Sequence, residues 1–181
     1  ALAGNYTVEM QVGEEIFTAP LEILKDPRLS ASDADLQAQY DFVLSIRDKM
    51  NEINKTITSI RKVRGQLQTL EKNSEDNDLK TEMTSLIDKM TNIEEALYQT
   101  KNRSPQDPLN FPIRLNNKYG HLGALATVGF NKPTTQMYGV KAELETLINA
   151  ELEKWNALEV DLSGINEKLR QNAAPYFKLA D

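Results

Sequence analysis

The sequence contains no cysteine and a single histidine, His121. Without thiols there is no disulfide and no zinc–thiolate site. A lone imidazole also leaves no Glu-x-x-His pair of the kind that holds two metals inside a helical bundle. No nucleophile stands beside a base in any readable spacing, so His121 is expected to serve structure, because a general base needs positioned partners. Neither a catalytic residue nor a cofactor is therefore expected. An excess of positive charge is missing too: 21 Lys and Arg face 27 Asp and Glu, a formal charge of −6. That balance denies the chain the basic face that phosphate binding requires, and no nucleic-acid partner is expected. No stretch approaches the ~20 apolar residues of a membrane span. The opening Ala1-Leu2-Ala3-Gly4-Asn5 has neither the basic region nor the apolar core of a signal peptide, and no initiator Met. A segment upstream of it is expected.

What is present is pattern. Tyr6, Val8, Met10 and Val12 alternate with Thr7, Glu9 and Gln11; after Gly13-Glu14-Glu15, Phe17, Ala19, Leu21 and Ile23 alternate with Thr18, Pro20 and Glu22. Two period-2 runs around a short Gly-containing turn predict a β-hairpin. Pro20 cannot donate to a ladder, which places the second run at an edge or a bulge. A lone hairpin is marginal in water, so it is expected to rest on the helices or on strands upstream. The Gly-x-Tyr-x-Val opening resembles the penultimate strand of an immunoglobulin-like sandwich.

Near Pro27 the period changes. Ser30 or Ser32 can cap a helix whose first turn carries Asp33 and Asp35, acids that suit its positive end. Apolar residues then step by three or four through Leu36, Tyr40, Val43, Met50, Ile53, Ile57, Ile60, Val63 or Arg64, Leu67 and Leu70, with Arg47 the one polar step. Asn73 to Asn77 is a polar break. Leu79, Met83, Leu86, Met90, Ile93 and Leu97 follow in strict 4-3-4-3-4 spacing, a coiled-coil-like seam. Beyond the rigid loop Ser104-Pro105-Gln106-Asp107-Pro108, a short third helix is predicted from Pro112 and a long fourth one from Thr134 or Thr135. The apolar positions of the fourth helix include Met137, Val140, Leu144, Leu147 or Ile148, Trp155, Leu158, Leu162, Ile165 and Leu169. The expected fold is mainly α: a hairpin over 1–28, the end of an immunoglobulin-like sandwich, then an up-down-up-down four-helix bundle over 29–181 with long first and last helices. The ends of those long helices are expected to project and to be capped by the hairpin.

Few constellations invite chemistry. Lys55, Arg61, Lys62 and Arg64 are followed by Glu71, Glu75 and Asp76, the mixed charge of a solvated helix face. Glu94-Glu95 and Glu143, Glu145, Glu151 and Glu153 are expected in solvent. Tyr119, Tyr138 and Trp155, with Tyr98, are the candidates for an aromatic platform that would hold a glycan; Trp155 lies on an apolar stripe, which favours core packing. The Asn-x-Ser/Thr triplets at Asn5, Asn54 and Asn102 matter only in a eukaryotic secretory setting.

The order of features carries a resemblance. Gly4-Asn5-Tyr6-Thr7-Val8, Phe17-Thr18-Ala19-Pro20-Leu21 and Asp26-Pro27-Arg28 lead into Ala34-Asp35-Leu36-Gln37-Ala38-Gln39-Tyr40. With Leu115 to Leu122 and Pro133-Thr134-Thr135-Gln136, this resembles the C-terminal region of large exported bacterial proteins with Asp-box, sortilin-like β-propellers, often labelled glycosyl hydrolases. The resemblance spans essentially the whole chain but rests on structural motifs, and the propeller itself is not in it, so no hydrolytic residue carries over. It implies a periplasmic or extracellular location and a non-catalytic module that contacts upstream domains of the same polypeptide or another protein. A glycan-binding accessory module and a cytosolic helical adaptor are the alternatives.

Overall fold

A computed structural model describes residues 1–171 and 175–177. It contains β1 (Gly4–Val12), β2 (Glu15–Ile23), α1 (Asp33–Asn73), α2 (Asn77–Leu97), a 3-10 turn (Asp107–Leu109), α3 (Leu115–Ala126) and α4 (Thr135–Gln171). The expected hairpin and four helices are there, mainly helical, and the first and last helices are the long ones. No helix among the described residues is long and apolar enough to cross a membrane.

Local chemistry sets the boundaries. Ser32 Oγ accepts the Asp35 N–H at 3.1 Å while the Asp35 carboxylate accepts the Ser32 N–H at 3.2 Å, a reciprocal cap that satisfies two orphan donors of α1. These bonds, the Ser32 hydroxyl foremost, hold the Asp35 carboxyl below its usual range. Asp76 caps α2 through the N–H groups of Asp78 and Leu79 at 2.9 and 3.1 Å. Thr134 Oγ1 accepts the Met137 N–H at 3.2 Å at the head of α4. The third helix starts at Leu115 rather than Pro112, because the Pro112 carbonyl is engaged by the Gln99 amide at 2.8 Å.

The helices run up, down, down, up. Glu71 meets Thr84 and Arg61 meets Glu94, so α2 descends along the second half of α1. Gly120 packs near Met50, Gly123 on Ile46, and the Ala126 carbonyl accepts from Gln39, so α3 descends along the first half. α4 climbs beside α1, with Phe42 against Tyr138 and Lys49 bonded to Asn149. The directions of the third and fourth helices thus differ from the expected alternation. The long stretch 98–114 lets α3 continue where a short link would have reversed it. Laid end to end, α2 and α3 cover both halves of the long pair, and among the described residues the expected bare projecting ends are not seen.

The core runs the length of this assembly. All six seam residues of α2, Leu79 through Leu97, are buried. So are Ile53, Ile57, Ile60, Val63 and Leu67 of α1, and Ile148, Leu152, Trp155, Leu158, Leu162, Ile165 and Leu169 of α4. Near the start of α1 the buried face is Phe42 and Ile46, while Tyr40 stays exposed. There α1 turns toward α3, whose Gly123 comes so close that a Cβ would sit 3.0 Å from Ile46 Cγ2. A side chain at 123 would press on Ile46, which would have to give by a few tenths of an ångström. Phe177 folds back into the core, and its backbone N–H and C=O both bond the Asn166 side-chain amide, at 3.1 and 3.0 Å.

The hairpin stands apart. Its pairing is continuous from Gly4↔Ile23 to Val12↔Glu15. Gly13, with φ +63°, supplies the positive φ that a tight two-residue turn demands. Among the described residues no Cα of either strand lies within 8 Å of a Cα in any helix. The expected capping of the long helices by the hairpin is therefore incorrect: α3 and the 127–130 turn occupy the place reserved for it.

Candidate functional site

The pairing register puts Tyr6 opposite Leu21, Val8 opposite Ala19 and Met10 opposite Phe17. Directly paired residues share a face, so one side of the hairpin is apolar from Ile23 and Tyr6 to Val12, with Glu15 closing it at the turn, while Asn5, Thr7, Glu9, Gln11, Ile16, Thr18, Pro20 and Glu22 line the other. That apolar side is bare: Tyr6, Val8, Met10, Val12, Phe17 and Leu21 are each 39–57% exposed. Burying one such side chain contributes about 1.5–3 kcal/mol, and a row of six left in water is the mark of an interaction surface. At its base a recess of about 440 Å³ opens between Leu2, Ile23, Leu24 and Leu29 on one side and Leu36, Tyr40, Val43 and Phe130 on the other. Here the hairpin joins the bundle through a seam that is not filled. A hydrogen bond from the Tyr6 hydroxyl to the Leu2 carbonyl at 2.7 Å ties the strand to the leading segment.

The aromatic candidates do not assemble. Tyr119 is fully buried and Trp155 is 7% exposed, both in the core, while Tyr138 is 47% exposed with its ring edge-on to Phe42 at 5.0 Å and 83°. Tyr138 and Trp155 lie 17 residues apart on one helix, about 25 Å at 1.5 Å per residue. No coplanar platform exists among the three, and the core reading of Trp155 holds. His121 sits exposed on α3.

Charged side chains are organised in two places that the spacing did not reveal. Glu94, expected in solvent, is 1% exposed. Its two oxygens accept from Arg61 Nε at 2.6 Å and Arg64 Nη2 at 2.5 Å; Arg64 also reaches Thr91 at 3.3 Å and Arg61 stacks 5.1 Å over the Tyr98 ring. A buried carboxylate is tolerable only when hydrogen-bonded charge surrounds it. The clamp joins α1 to α2 beside the seam, and it engages two of the four clustered basic residues, Arg64 mostly buried and Arg61 half exposed. The available signal was positional: Glu94 follows seam residue Ile93, a flanking position that ion pairs favour.

The second place lies at the junction of α3 and α4. The Tyr119 hydroxyl donates to Glu145 Oε1 at 2.7 Å, and Lys141 Nζ donates to the same oxygen at 2.7 Å. Burial first, then Glu145, pushes the Tyr119 phenol above its ordinary value. Burial pushes Glu145 upward, but hydrogen bonds from Lys141 and Tyr119 and the charges of Lys141 and Lys49 outweigh it, leaving the carboxyl below its usual range. A carboxylate held ionised, with Tyr119 of α3 and Lys141 of α4 both on one oxygen, acts as a fastener between the two helices.

Scans against models of protein families, curated proteins and solved structures found no match. The assignment of a role therefore rests on the geometry above and on the sequence resemblance. Of the surfaces described, only the hairpin face combines size, apolarity and exposure with a regular register.

Proposed function

We propose that this chain is a non-catalytic structural and interaction module of a larger exported protein of the Asp-box, sortilin-like β-propeller kind, located in the periplasm or outside the cell. The helical body acts as a rigid spacer, and the hairpin is the attachment, completing an immunoglobulin-like β-domain of the same polypeptide. The observation that carries this reading is the uncovered apolar face of β1 and β2. A two-stranded hairpin is marginal by itself, and this one, among the described residues, draws no cover from the helices. Its ladder is nonetheless regular over nine pairs, as befits strands belonging to a wider sheet. The buried Trp155 and the distance separating Tyr138 from it favour this module over a glycan-binding one.

The test compares the isolated chain with the longer polypeptide that carries it. Residues 5–22 should be cut readily by a broad-specificity protease in the isolated chain and resist it in the longer one, and the longer protein should be recovered from the periplasm or the medium. Turnover of a glycoside or peptide by the isolated chain, or retention of the intact protein in the cytosol, overturns the proposal.

A further inference from the structure

The two edges of the hairpin are not equivalent. In an antiparallel ladder, pairs whose backbone groups bond each other alternate with pairs whose backbone groups point outward. Pro20 has no N–H, and it is paired with Thr7 in the middle of an unbroken ladder. The Thr7–Pro20 pair must therefore be of the outward-pointing type, since the other type would cost the ladder a bond. The register then follows. Asn5, Thr7, Glu9 and Gln11 direct their N–H and C=O groups to the free edge of β1, and Ile16, Thr18, Pro20 and Glu22 direct theirs to the free edge of β2. The β1 edge is complete, with every donor present. The β2 edge is broken by Pro20 at its third outward position. A proline on a free edge is a usual guard against further strand pairing, and only one edge carries it.

Charge adds a second constraint. Between residues 4 and 23 the chain has Glu9, Glu14, Glu15 and Glu22 and no Lys or Arg. Glu14 and Glu15 crowd the turn and Glu9 and Glu22 lie on the polar face, so a second copy added along the β1 edge would put four more carboxylates on the same small sheet with no counter-charge, which opposes association. The complementary occupant is a sheet with an apolar face and a basic rim.

We infer that the β1 edge is the recognition edge: a strand of a basic-rimmed β-sheet, in the same polypeptide, pairs with Asn5 to Gln11, and that sheet's domain covers the Tyr6–Met10–Phe17–Leu21 face, while the Pro20 edge ends the sheet. This rests on the reading of the hairpin as an attachment, and adds which edge pairs and with what charge.

The experiment is residue-resolved amide hydrogen exchange on the full-length polypeptide and on the isolated chain, with peroxide oxidation of Met10 as an independent reporter of the face. Covering the face slows Met10 oxidation about tenfold or more, and pairing on β1 slows exchange at Thr7 and Glu9 roughly a hundredfold while Thr18 and Glu22 change less than about threefold. Glu9 and Thr18 are partners, so Glu9→Pro and Thr18→Pro each remove one outward donor and no inner bond. Glu9→Pro should restore fast Met10 oxidation in the full-length protein, and Thr18→Pro should not. If Met10 is protected but Thr18 and Glu22 slow as much as Thr7 and Glu9, or Thr7 and Glu9 do not slow, the edge assignment is overturned and the attachment reading stands. If Met10 oxidises equally fast in both proteins, the attachment reading falls and the edge assignment with it.

Discussion

The hairpin and the α2 seam carry the same raw material, regularly spaced large apolar side chains, and end in opposite conditions. Leu79 to Leu97 are all buried, whereas Tyr6 to Leu21 stand in water. Periodicity tells which side of an element is apolar. Whether that side is dry depends on a partner being within reach, and α2 has α1 and α4 while the hairpin has none among the described helices. The same substitution should therefore have unequal effects in the two regions. Ile60→Ala, at a fully buried position, should cost about 2–5 kcal/mol in chemical denaturation followed by helical circular dichroism. Val8→Ala should cost less than about 0.5 kcal/mol in the same assay. A large loss at Val8 would mean that the hairpin leans on the bundle after all.

The Glu94 clamp sharpens the contrast on the polar side. Arg64→Ala leaves a buried carboxylate with one partner, and should lower stability by about 2–3 kcal/mol. Exposed pairs such as Lys89–Asp161 at 3.1 Å should contribute well under about 1 kcal/mol when Lys89 is replaced by Ala. Equal effects in a double-mutant comparison would show that Glu94 is solvated in solution.

Tyr119 offers a pH test of the α3–α4 junction. Its phenol is raised by burial and by Glu145, so the unfolded chain ionises first as pH climbs past about 10. Stability from this site is full below that pH and declines above it. Tyr119→Phe should cost about 1 kcal/mol at neutral pH and flatten the alkaline decline seen in thermal melts. An unchanged alkaline limb would place the ionisation elsewhere.

The smallest expected effect belongs to excising residues 5–22, whose flanking Gly4 and Ile23 already face each other. The bundle should then melt within about 1 °C of the intact chain, since a change of that size corresponds to a few tenths of a kcal/mol. A fall of many degrees would restore the packed hairpin.

Much of this architecture was legible in the residues. The 4-3-4-3-4 spacing gave the α2 seam position by position, Ser32 and Asp35 marked the start of α1, and the alternation around Gly13 placed the hairpin. The directions of the helices were not legible, because periodicity fixes faces and a long connection such as 98–114 leaves direction free. The early register of α1 slipped from Tyr40 to Phe42 and Ile46 because α3 approaches through Gly123, a long-range event with no local trace. Glu94 was assigned to solvent by its type, and its burial depends on Arg61 and Arg64 from a distant turn of α1. Of the aromatic candidates, burial separates Trp155 and Tyr119 from Tyr138, and a linear pattern cannot place three rings in one plane.

The tandem placement of α2 and α3 has a mechanical consequence. Because α1 and α4 point the same way, the hairpin emerges at one end of the body and Phe177 is tucked against Gly65 to Leu70, toward the other. With α1 41 residues long, those ends are held about 60 Å apart by continuous helix. A domain anchored at the hairpin and a contact made at the far end would feel each other as through a stiff rod. A tilt of only a few degrees at the loosely packed joint around Leu24, Leu36 and Phe130 would sweep the distal end through several ångströms.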